Sequence, residues 1–265
     1  MTRRVPVTKM HGTRNDFVIL DNRRAHILDP VAFGRFVCDR RSAIGADGLL
    51  SIERSTVADA RMRVINADGS EAEMCGNGMR CVARYLTEAG EGDRLRVETL
   101  AGIIESDVLR GDPAFDVRLE VGVPEVERRA FDGREVWYVK VGNPHLVMFV
   151  DALDAVDLPA LAERVQRDPA YAGGINVHLA ARAADGLDVK HWERGVGLTM
   201  ACGTGAVACA AAAIVDGSAR SPVAVAVPGG MLMVGWDGQG PASLTGPAVR
   251  VFDGHVLYDE AHVRA

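Results

Sequence analysis

The segment Ala206-Val207-Ala208-Cys209-Ala210-Ala211-Ala212-Ala213-Ile214-Val215 is apolar on every side when it is drawn as a helix. A helix without a polar face is buried all round. The segment therefore predicts a central helix enclosed by sheet, and its small alanines let the sheet approach closely. The four residues before it, Cys202-Gly203-Thr204-Gly205, form a Cys-Gly-x-Gly word that the chain also carries as Cys75-Gly76-Asn77-Gly78.

The residues after Cys75 also predict a helix. Apolar side chains stand at i, i+3, i+4 and i+7 from Met79 to Leu86, which is typical of an amphipathic helix, and we expect it to end near Gly90. Short runs rich in β-branched residues, ended by Gly, Asp or Asn, predict strands at Val5 to Lys9, Phe17 to Asp21, Gly48 to Glu53, Ala60 to Ile65, Leu95 to Thr99 and Gly102 to Leu109.

The two Cys-Gly-x-Gly words have matching surroundings. Asn66 lies nine residues before Cys75, and Glu193 lies nine residues before Cys202, each in a polar turn after a strand-like run. A match over half the chain indicates duplication. We therefore expect an α+β fold of two pseudo-symmetric domains, 1–120 and 121–265, each a curved, mostly antiparallel sheet or barrel wrapped around a central helix. The last strand, within 250–265, could return to the first domain.

Composition restricts the class of protein. The chain has 265 residues, 48% hydrophobic and 25% charged, with a net charge of −6, which argues against a nucleic-acid-binding surface. No uninterrupted apolar stretch is long enough to span a bilayer, so we expect no membrane partner. The residues around Met1 lack the apolar stretch of a secretion signal, and the five cysteines are odd in number. We therefore expect a cytoplasmic protein with reduced thiols.

The cysteines support more than one interpretation. Any single cysteine is most often a packing residue, and this alternative is stronger for Cys81 and Cys209, which lie inside the predicted helices. The spacings of the paired cysteines do not match structural zinc sites, so we expect no metal. Cys75 and Cys202 instead stand at helix N-termini, where the macrodipole and backbone N–H groups favour a thiolate, and we expect their pKa values to fall. Two such thiols could remove a proton and return it.

Seven motifs, taken in order, resemble those of the diaminopimelate epimerases over residues 9 to about 216. They are His11-Gly12-Thr13-Arg14-Asn15-Asp16-Phe17, Asn66-Ala67-Asp68-Gly69-Ser70-Glu71, Met74-Cys75-Gly76-Asn77-Gly78-Met79-Arg80-Cys81, Glu98-Thr99-Leu100-Ala101-Gly102, Gly142-Asn143-Pro144-His145, Trp192-Glu193-Arg194-Gly195 and Ala201-Cys202-Gly203-Thr204-Gly205-Ala206. One such motif would be weak evidence, but seven in order are strong.

The resemblance implies a reaction without a cofactor. The family interconverts L,L- and meso-2,6-diaminopimelate on the route to lysine and peptidoglycan, and Cys75 and Cys202 would be the two catalytic thiols, with Cys75 the base toward the L,L-isomer. No pyridoxal phosphate is expected, because none of the three lysines stands in a phosphate-binding context. A homodimer is implied by resemblance alone.

The resemblance also implies a substrate-binding set. Backbone N–H groups of Gly76, Asn77, Gly203 and Thr204 would stabilise the charge that develops on the α-carboxylate. Arg194 can bind the distal carboxylate bidentately, with Asn66, Asn143 and Asn176 around it. Glu193 and Asn15 would face the reacting ammonium, and His145 would support the site. Taken singly, Asn66 could be only a turn residue, His145 a core histidine and Glu193–Arg194 a surface pair.

Two departures and two alternatives bear on the substrate. Many relatives carry Gly-Glu-Thr where this chain has Gly197-Leu198-Thr199, and some carry Gln where Gly48 stands. A proline or hydroxyproline racemase would use the same thiols, but those relatives typically have His in place of Asn77 and do not need Arg194. A non-catalytic amino-acid-binding protein is the other alternative, and Leu198 is the hint for it.

Overall fold

The computed structural model describes residues 2–110 and 115–259. The chain divides into two compact units. The first comprises the chain up to Leu119 and again from Pro247, and the second is Glu120–Gly246. The last six residues of the predicted C-terminal segment, 260–265, lie outside the described residues.

The first unit is built mainly of strands. Its elements up to residue 120 are β1 (Arg3–Gly12), β2 (Asn15–Asp21), α1 (Pro30–Val37), β3 (Gly48–Glu53), β4 (Ala60–Asn66), β5 (Glu71–Ala72), α2 (Gly76–Glu88), β6 (Arg94–Thr99), β7 (Gly102–Arg110) and β8 (Phe115–Glu120). The predicted strands and the predicted helix after Cys75 are confirmed to within a few residues at each end.

The remaining elements begin in the second unit, and the last of them continues into the first unit from Pro247. They are β9 (Glu125–Phe131), β10 (Arg134–Val141), β11 (Asn143–Phe149), α3 (Leu158–Arg167), β12 (Asn176–Ala183), β13 (Gly186–Glu193), β14 (Gly197–Thr199), α4 (Gly203–Val215), β15 (Val223–Val227), β16 (Gly230–Gly235) and β17 (Ser243–Tyr258), with two short 3₁₀ turns at Leu153–Ala155 and Pro169–Tyr171. Residues 243–245 of β17 pair with β16, and residues 249–258 pair with β1.

The two units repeat one topology. In the first, β1–β2, β3–β4, β4–β5, β6–β7 and β7–β8 are antiparallel, whereas β2–β3 and β4–β6 are parallel. In the second, each strand number is higher by nine: β10–β11, β12–β13, β13–β14, β15–β16 and β16–β17 are antiparallel, whereas β11–β12 and β13–β15 are parallel. The helices α2 and α4 occupy equivalent places in this order. The α+β class and the internal repeat expected from the sequence are confirmed.

Each unit holds the helix that follows its Cys-Gly-x-Gly word against its sheet. In the first unit, α2 packs on β1 to β4 and β7 with its apolar face, including Met79, Val82 and Leu86. In the second, α4 packs against β9 to β13, β15 and β16, and its residues from Gly205 to Ala213 are all buried. The apolar segment is therefore enclosed as far as Ala213, because it has no side that water could solvate favourably, whereas Val215 at its end is exposed.

The sequence analysis did not predict α1 and α3, although their start signals were present. Asp29 caps α1 by accepting a hydrogen bond from the Ala32 N–H, and Asp157 caps α3 in the same way at Ala160. Each cap is followed by a proline in the first turn, a pattern typical of helix starts. No helix within the described ranges combines the length and apolar character needed to cross a membrane.

Candidate functional site

Cys75 is the N-cap residue of α2. Its backbone is extended, with φ −138° and ψ 112°, and the chain becomes helical at Gly76. The Gly78 N–H donates to Cys75 Sγ at 3.5 Å, so the sulfur lies at the positive end of the helix. The side chain is only partly buried. The local fold thus presents this sulfur at the helix end and leaves it in contact with solvent.

Two asparagines from the predicted set lie beside Cys75. The thiol donates to Asn15 Oδ1 at 3.7 Å, and Asn77 Nδ2 donates to the same oxygen at 3.2 Å. Asn15 Nδ2 donates in turn to Asp47 Oδ2 at 2.7 Å, and Arg40 donates to the other Asp47 oxygen. Asp47 therefore orients the Asn15 amide so that its oxygen faces the thiol.

A buried arginine holds the side chain of Asn77 by a hydrogen bond. Arg80 is fully buried, and its Nη2 donates to Asn77 Oδ1 at 2.9 Å and to Thr13 Oγ1 at 3.2 Å. Its Nε donates to the Pro247 carbonyl at 3.2 Å. These bonds fix the rotamer of Asn77 and bring the β1–β2 turn against the start of α2.

Asn66 ends β4 and makes a turn. Its backbone N–H donates to the Ser70 carbonyl at 2.8 Å, and its Nδ2 donates to Ser70 Oγ at 2.9 Å. The next residue, Ala67, donates its N–H to the Asp47 carbonyl at 3.2 Å. Asn66 is therefore a turn residue, which was one of the alternatives that the sequence left open. Its turn is hydrogen-bonded to Asp47, the residue that orients Asn15.

Cys202 is the equivalent N-cap residue of α4, but its surroundings differ. Its backbone has φ −122° and ψ 111°, the side chain is buried, and Sγ lies 3.8 Å from Thr204 Oγ1. Burial raises the pKa of the Cys202 thiol well above its usual value, and the carboxylate of Glu193, which accepts a hydrogen bond from it, raises it further.

The expected fall in pKa is therefore wrong for Cys202. The Gly205 N–H and the Thr204 hydroxyl do favour the thiolate. Their effect is smaller than the cost of removing a thiolate from water and placing it beside a carboxylate. The thiol form of Cys202 is therefore favoured over the thiolate.

Arg194 and Asn176 interact directly. Asn176 Oδ1 accepts a hydrogen bond from the Arg194 backbone N–H at 2.9 Å, and Arg194 Nη1 donates to the Gly173 and Gly174 carbonyls at 2.7 and 3.3 Å. Gly174 has φ +73°, and a Cβ there would lie 2.5 Å from Arg194 Cδ. The loop therefore needs this glycine in order to hold the arginine. Asn143, the first residue of β11, is exposed.

The glycines of the two Cys-Gly-x-Gly words differ in their packing. A Cβ on Gly76 would have Leu119 Cδ1, at 4.0 Å, as its nearest neighbour, whereas a Cβ on Gly78 would lie 2.9 Å from Leu50 Cδ2. A Cβ on Gly203 would be 3.0 Å from the flexible end of Leu244, and one on Gly205 would lie 2.6 Å from the His178 ring. Gly205 is required by packing because it faces a ring, at Gly78 and Gly203 the flexible end of a leucine would have to move, and Gly76 is not constrained.

Three buried histidines form a chain behind Cys202. His145 Nδ1 and His178 Nε2 are 2.9 Å apart, and His178 Nδ1 and His191 Nδ1 are also 2.9 Å apart. Burial lowers the pKa of all three, to about 3 for His145 and His191, so the rings are neutral. His145, predicted as a supporting residue, is thus a buried member of a hydrogen-bonded network.

The same cluster does not have the geometry of a metal site. His145, His178 and Cys202 have ligand atoms within 4.8 Å of one another. However, the centroids of the first two rings are 5.1 Å apart, about the sum of the N···N distance and the two ring radii. Their nitrogens therefore point at each other, as in an N–H···N hydrogen bond, whereas the lone pairs of metal ligands converge on one point.

Sequence reasoning did not single out several of the side chains that hold the predicted residues. Arg80 lay inside a quoted motif but was given no role, and Asp47, His178 and His191 lay outside the quoted motifs. The available signal for the histidines was their position in the strands. His178 and His191 are paired on adjacent antiparallel strands, and a polar residue on the buried face of a strand needs a hydrogen-bonding partner.

The family model described as Diaminopimelate epimerase matches residues 7–126 and 137–251. The diaminopimelate epimerase of Sphingopyxis alaskensis is 45% identical over 93% of this chain and 95% of that relative. That of Archaeoglobus fulgidus is 41% identical over 97% of this chain and 98% of that relative.

Solved structures resemble this chain at lower identity. A Bacillus anthracis phenazine biosynthesis protein of the PhzF family gives a TM-score of 0.77 at 17% identity, covering 97% of this chain and 100% of that one. A hydroxyproline epimerase from Agrobacterium vitis, with bound trans-4-hydroxy-L-proline, gives 0.69 at 15% identity, covering 97% and 94%. At such identities the likeness concerns the fold alone.

Proposed function

Because the chain belongs to the diaminopimelate epimerase family of isomerases, we propose that it interconverts L,L- and meso-2,6-diaminopimelate without pyridoxal phosphate. Its product would serve lysine and peptidoglycan synthesis. The observation that carries the proposal is that Cys75 and Cys202, alone among the five cysteines, are N-caps of helices. Cys38 ends a helix, and Cys81 and Cys209 are buried within helices.

The two thiols have different roles in the proposed reaction. Inverting an α-carbon needs a base on one face and an acid on the other. Cys75 is the base toward the L,L-isomer, because its half-exposed sulfur accepts a backbone N–H bond that favours the thiolate. Cys202 is the acid, because burial and Glu193 keep its proton in place.

Each proton and electron pair is accounted for. The Cys75 thiolate takes the α-proton, the electron pair of the broken C–H bond passes into the carbanion and its carboxylate, and Cys202 then gives its proton to the other face of the carbon. Cys75 ends as a thiol and Cys202 as a thiolate, so the reverse reaction starts from the product state. Return to the starting state exchanges one proton with solvent.

The carbanion needs donors aimed at its carboxylate. N–H groups in the first turn of a helix point out of the helix end, and Gly76, Asn77, Gly203 and Thr204 occupy the first turns of α2 and α4. We propose these groups as the oxyanion donors. Preorganised donors of this kind are worth about 10²- to 10³-fold in rate each.

The remaining predicted residues bind the two ends of the substrate. Arg194 takes the distal carboxylate; the hydrogen bonds described for its side chain use Nη1, and the fork also offers Nε and Nη2. Asn66, Asn143 and Asn176 contribute around it. Glu193 and Asn15 accept hydrogen bonds from the reacting ammonium, and His145 supports the site from within the second unit.

The test is proton NMR of the reduced enzyme with L,L-diaminopimelate in D2O, without added pyridoxal phosphate and with L-proline in parallel. Loss of the α-proton signal with formation of the meso isomer supports the proposal. Exchange on proline alone would indicate a racemase, and exchange on neither would indicate a binding protein. Cys75→Ser and Cys202→Ser should each abolish turnover, whereas Cys38→Ser should retain it.

We also propose a cytoplasmic location and a homodimer. Five free cysteines suit a reducing compartment. In β17 the side chains of Val251, Phe252 and Leu257 are exposed, and exposed apolar strands commonly lie at interfaces. Light scattering after size exclusion measures the mass; a monomer at micromolar concentration would refute the dimer.

A further inference from the structure

A buried positive charge lies on the same helix as Cys75. Arg80 is fully buried, and its described hydrogen bonds end on neutral oxygens, those of Asn77, Thr13 and Pro247. Within the described residues, Arg80 Nη1 is buried and makes no hydrogen bond. Burial lowers the pKa of Arg80, but an arginine side chain keeps its proton at neutral pH. In the part of the chain that the structure describes, no anion is bonded to this charge.

Buried charges in proteins are normally paired, because an isolated charge loses its hydration. Three groups can act on the Arg80 guanidinium as anions: Cys75, Cys81 and Asp116. Asp116 is exposed on β8, where solvent and salt screen it. Burial raises the pKa of the Cys81 thiol to about 12, so this thiol is uncharged at neutral pH. Cys75 remains, and it is the group that the proposed reaction needs as a thiolate.

Other charges near the start of α2 are engaged elsewhere. Asp47, which holds Asn15, pairs with Arg40 at 2.8 Å. Burial lowers the pKa of His11 on β1, so its ring is uncharged at neutral pH. The strands that pack against α2 carry the ion pairs Lys9–Asp16, Asp21–Arg23, Glu53–Arg63 and Asp107–Arg118. None of these ion pairs includes Arg80.

Two dipolar contacts at the Cys75 sulfur oppose each other. The Gly78 N–H donates to Sγ and favours the thiolate, whereas Asn15 Oδ1 accepts from the thiol and favours the neutral form. Arg80 adds a full charge five residues further along the helix, about 7.5 Å along its axis. Since the two dipolar contacts act in opposite directions, the charge of Arg80 decides which form is favoured.

The hydrogen bonds of Arg80 do not by themselves require an arginine. Arg80 ties Thr13, whose φ of +49° is unusual for a β-branched residue, to the start of α2. A neutral amide side chain could donate bonds of this kind without the desolvation cost of a buried charge. The charge therefore needs a reason of its own, and the sulfur at the start of the same helix provides one.

We propose that Arg80 is a positioning residue for proton transfer at Cys75: its buried charge stabilises the thiolate that removes the α-proton. The role in catalysis rests on the proposed epimerase reaction. The effect of the charge on the sulfur does not, because it is present without substrate.

Alkylation by iodoacetamide measures the ionisation of Cys75 in the absence of substrate. The thiolate is the form that reacts, and Cys75 is the one cysteine that is not buried among the five, all of which are described. Peptide mass spectrometry identifies the alkylated residue, and the pH of half-maximal rate gives the midpoint. In the parent protein the midpoint should lie below the value of about 8.5 for a free cysteine.

Three variants separate the charge from the hydrogen bonds. Arg80→Gln keeps a donor but removes the charge, and should raise the midpoint by about one pH unit, the lower end of the range for a nearby opposite charge. Arg80→Lys restores a charge and should recover most of that shift. Arg84→Met is the matched control: Arg84 also lies on α2 and donates to a β17 carbonyl, that of Ala248, but its charge is paired with Glu88 at 2.9 Å. It should leave the midpoint unchanged.

A loosened turn would change the maximal rate of alkylation, whereas loss of the charge moves the midpoint. Three results would overturn the proposal: a parent midpoint at or above about 8.5, the same midpoint in Arg80→Gln as in the parent, or no recovery in a folded Arg80→Lys. If urea unfolding shows that Arg80→Gln does not fold, the parent midpoint still decides.

Epimerase activity is measured separately. In an active enzyme, the rising limb of the pH profile of kcat/KM should move with the midpoint in Arg80→Gln, and a limb that stays in place would refute the catalytic role. Absence of epimerase activity together with the expected midpoints would support the charge effect and contradict the proposed function.

Discussion

Gly76→Ala separates a packing role from a substrate role for the first glycine of the Cys-Gly-x-Gly word. The glycine does not have a positive φ, and a Cβ there would meet no atom nearer than Leu119 Cδ1 at 4.0 Å. The protein itself therefore has no steric need for glycine. Ala favours a helix over Gly by up to about 1 kcal/mol, so the free energy of unfolding should stay the same or rise by up to that amount.

Activity should respond in the opposite direction. If the first turn of α2 binds the α-carboxylate, a Cβ at Gly76 keeps the carboxylate away from the N–H groups. The loss of one oxyanion donor costs about 10²-fold, so kcat/KM for L,L-diaminopimelate should fall roughly 100-fold. Urea unfolding measures the free energy of unfolding, and α-proton exchange in D2O measures kcat/KM.

Gly205→Ala is the matched substitution in the other word. Its Cβ would lie 2.6 Å from His178 Cε1 and 3.1 Å from Cys202 Cβ. The His178 ring cannot move away, because both its nitrogens are hydrogen-bonded. Overpacking of this kind costs about 1–3 kcal/mol, so this variant should lose stability where Gly76→Ala does not.

Two results would refute this reasoning. Activity of Gly76→Ala within about threefold of the parent, well short of the loss expected for an oxyanion donor, would remove the first turn of α2 from carboxylate binding. A loss of stability in Gly76→Ala equal to that in Gly205→Ala would show that the steric analysis is wrong.

Three further predictions concern the groups around the two cysteines. Asp47→Ala removes the acceptor that orients Asn15 and should lower kcat/KM about tenfold with little change in Tm, since the Asp47 side chain is 45% exposed; an unchanged kcat/KM would show that Asn15 needs no such support. His178→Phe leaves one ring nitrogen of His145 and one of His191 without a partner, so the free energy of unfolding in urea should fall by about 2–6 kcal/mol. A fall below about 1 kcal/mol, less than one unsatisfied group costs, would contradict the hydrogen-bonded row of histidines. Burial lowers the pKa of His145 and His191 to about 3, so near pH 6.5 these rings take up a proton only in the unfolded state. The free energy of unfolding should therefore be highest above pH 6.5 and should fall toward pH 3 by up to about 1.4 kcal/mol per pH unit for each ring. Urea unfolding at pH 7 and pH 5 measures this change, and an equal free energy of unfolding at both would contradict the prediction.

The parts of the fold that could be predicted were those that local pattern determines. The apolar segment from Ala206 to Val215 and the amphipathic residues after Cys75 fixed the two central helices, since a helix with no polar face has to be enclosed. The helices α1 and α3 were missed because each is short and depends on one cap and one proline, signals that also occur in turns.

The candidate site could be predicted as a set of positions but not as a set of contacts. Motif order selected Asn15, Asn77 and Arg194, whereas the side chains that hold them come from residues far apart in sequence, such as Asp47, which bonds to Asn15 across 32 positions. A single sequence carries no signal for such pairs.

The failed pKa prediction explains how one repeated word can supply two different groups. Cys75 and Cys202 have nearly the same backbone angles and stand at the same helix position, so the helix end acts alike on both. Their neighbours do not: the neutral amide of Asn15 faces Cys75, and the carboxylate of Glu193 faces Cys202. A carboxylate beside a buried thiol holds the proton on sulfur, whereas an amide adds no charge. In the proposed reaction, the repeat therefore provides the position of each thiol, and the residues around it decide which thiol starts as the acid.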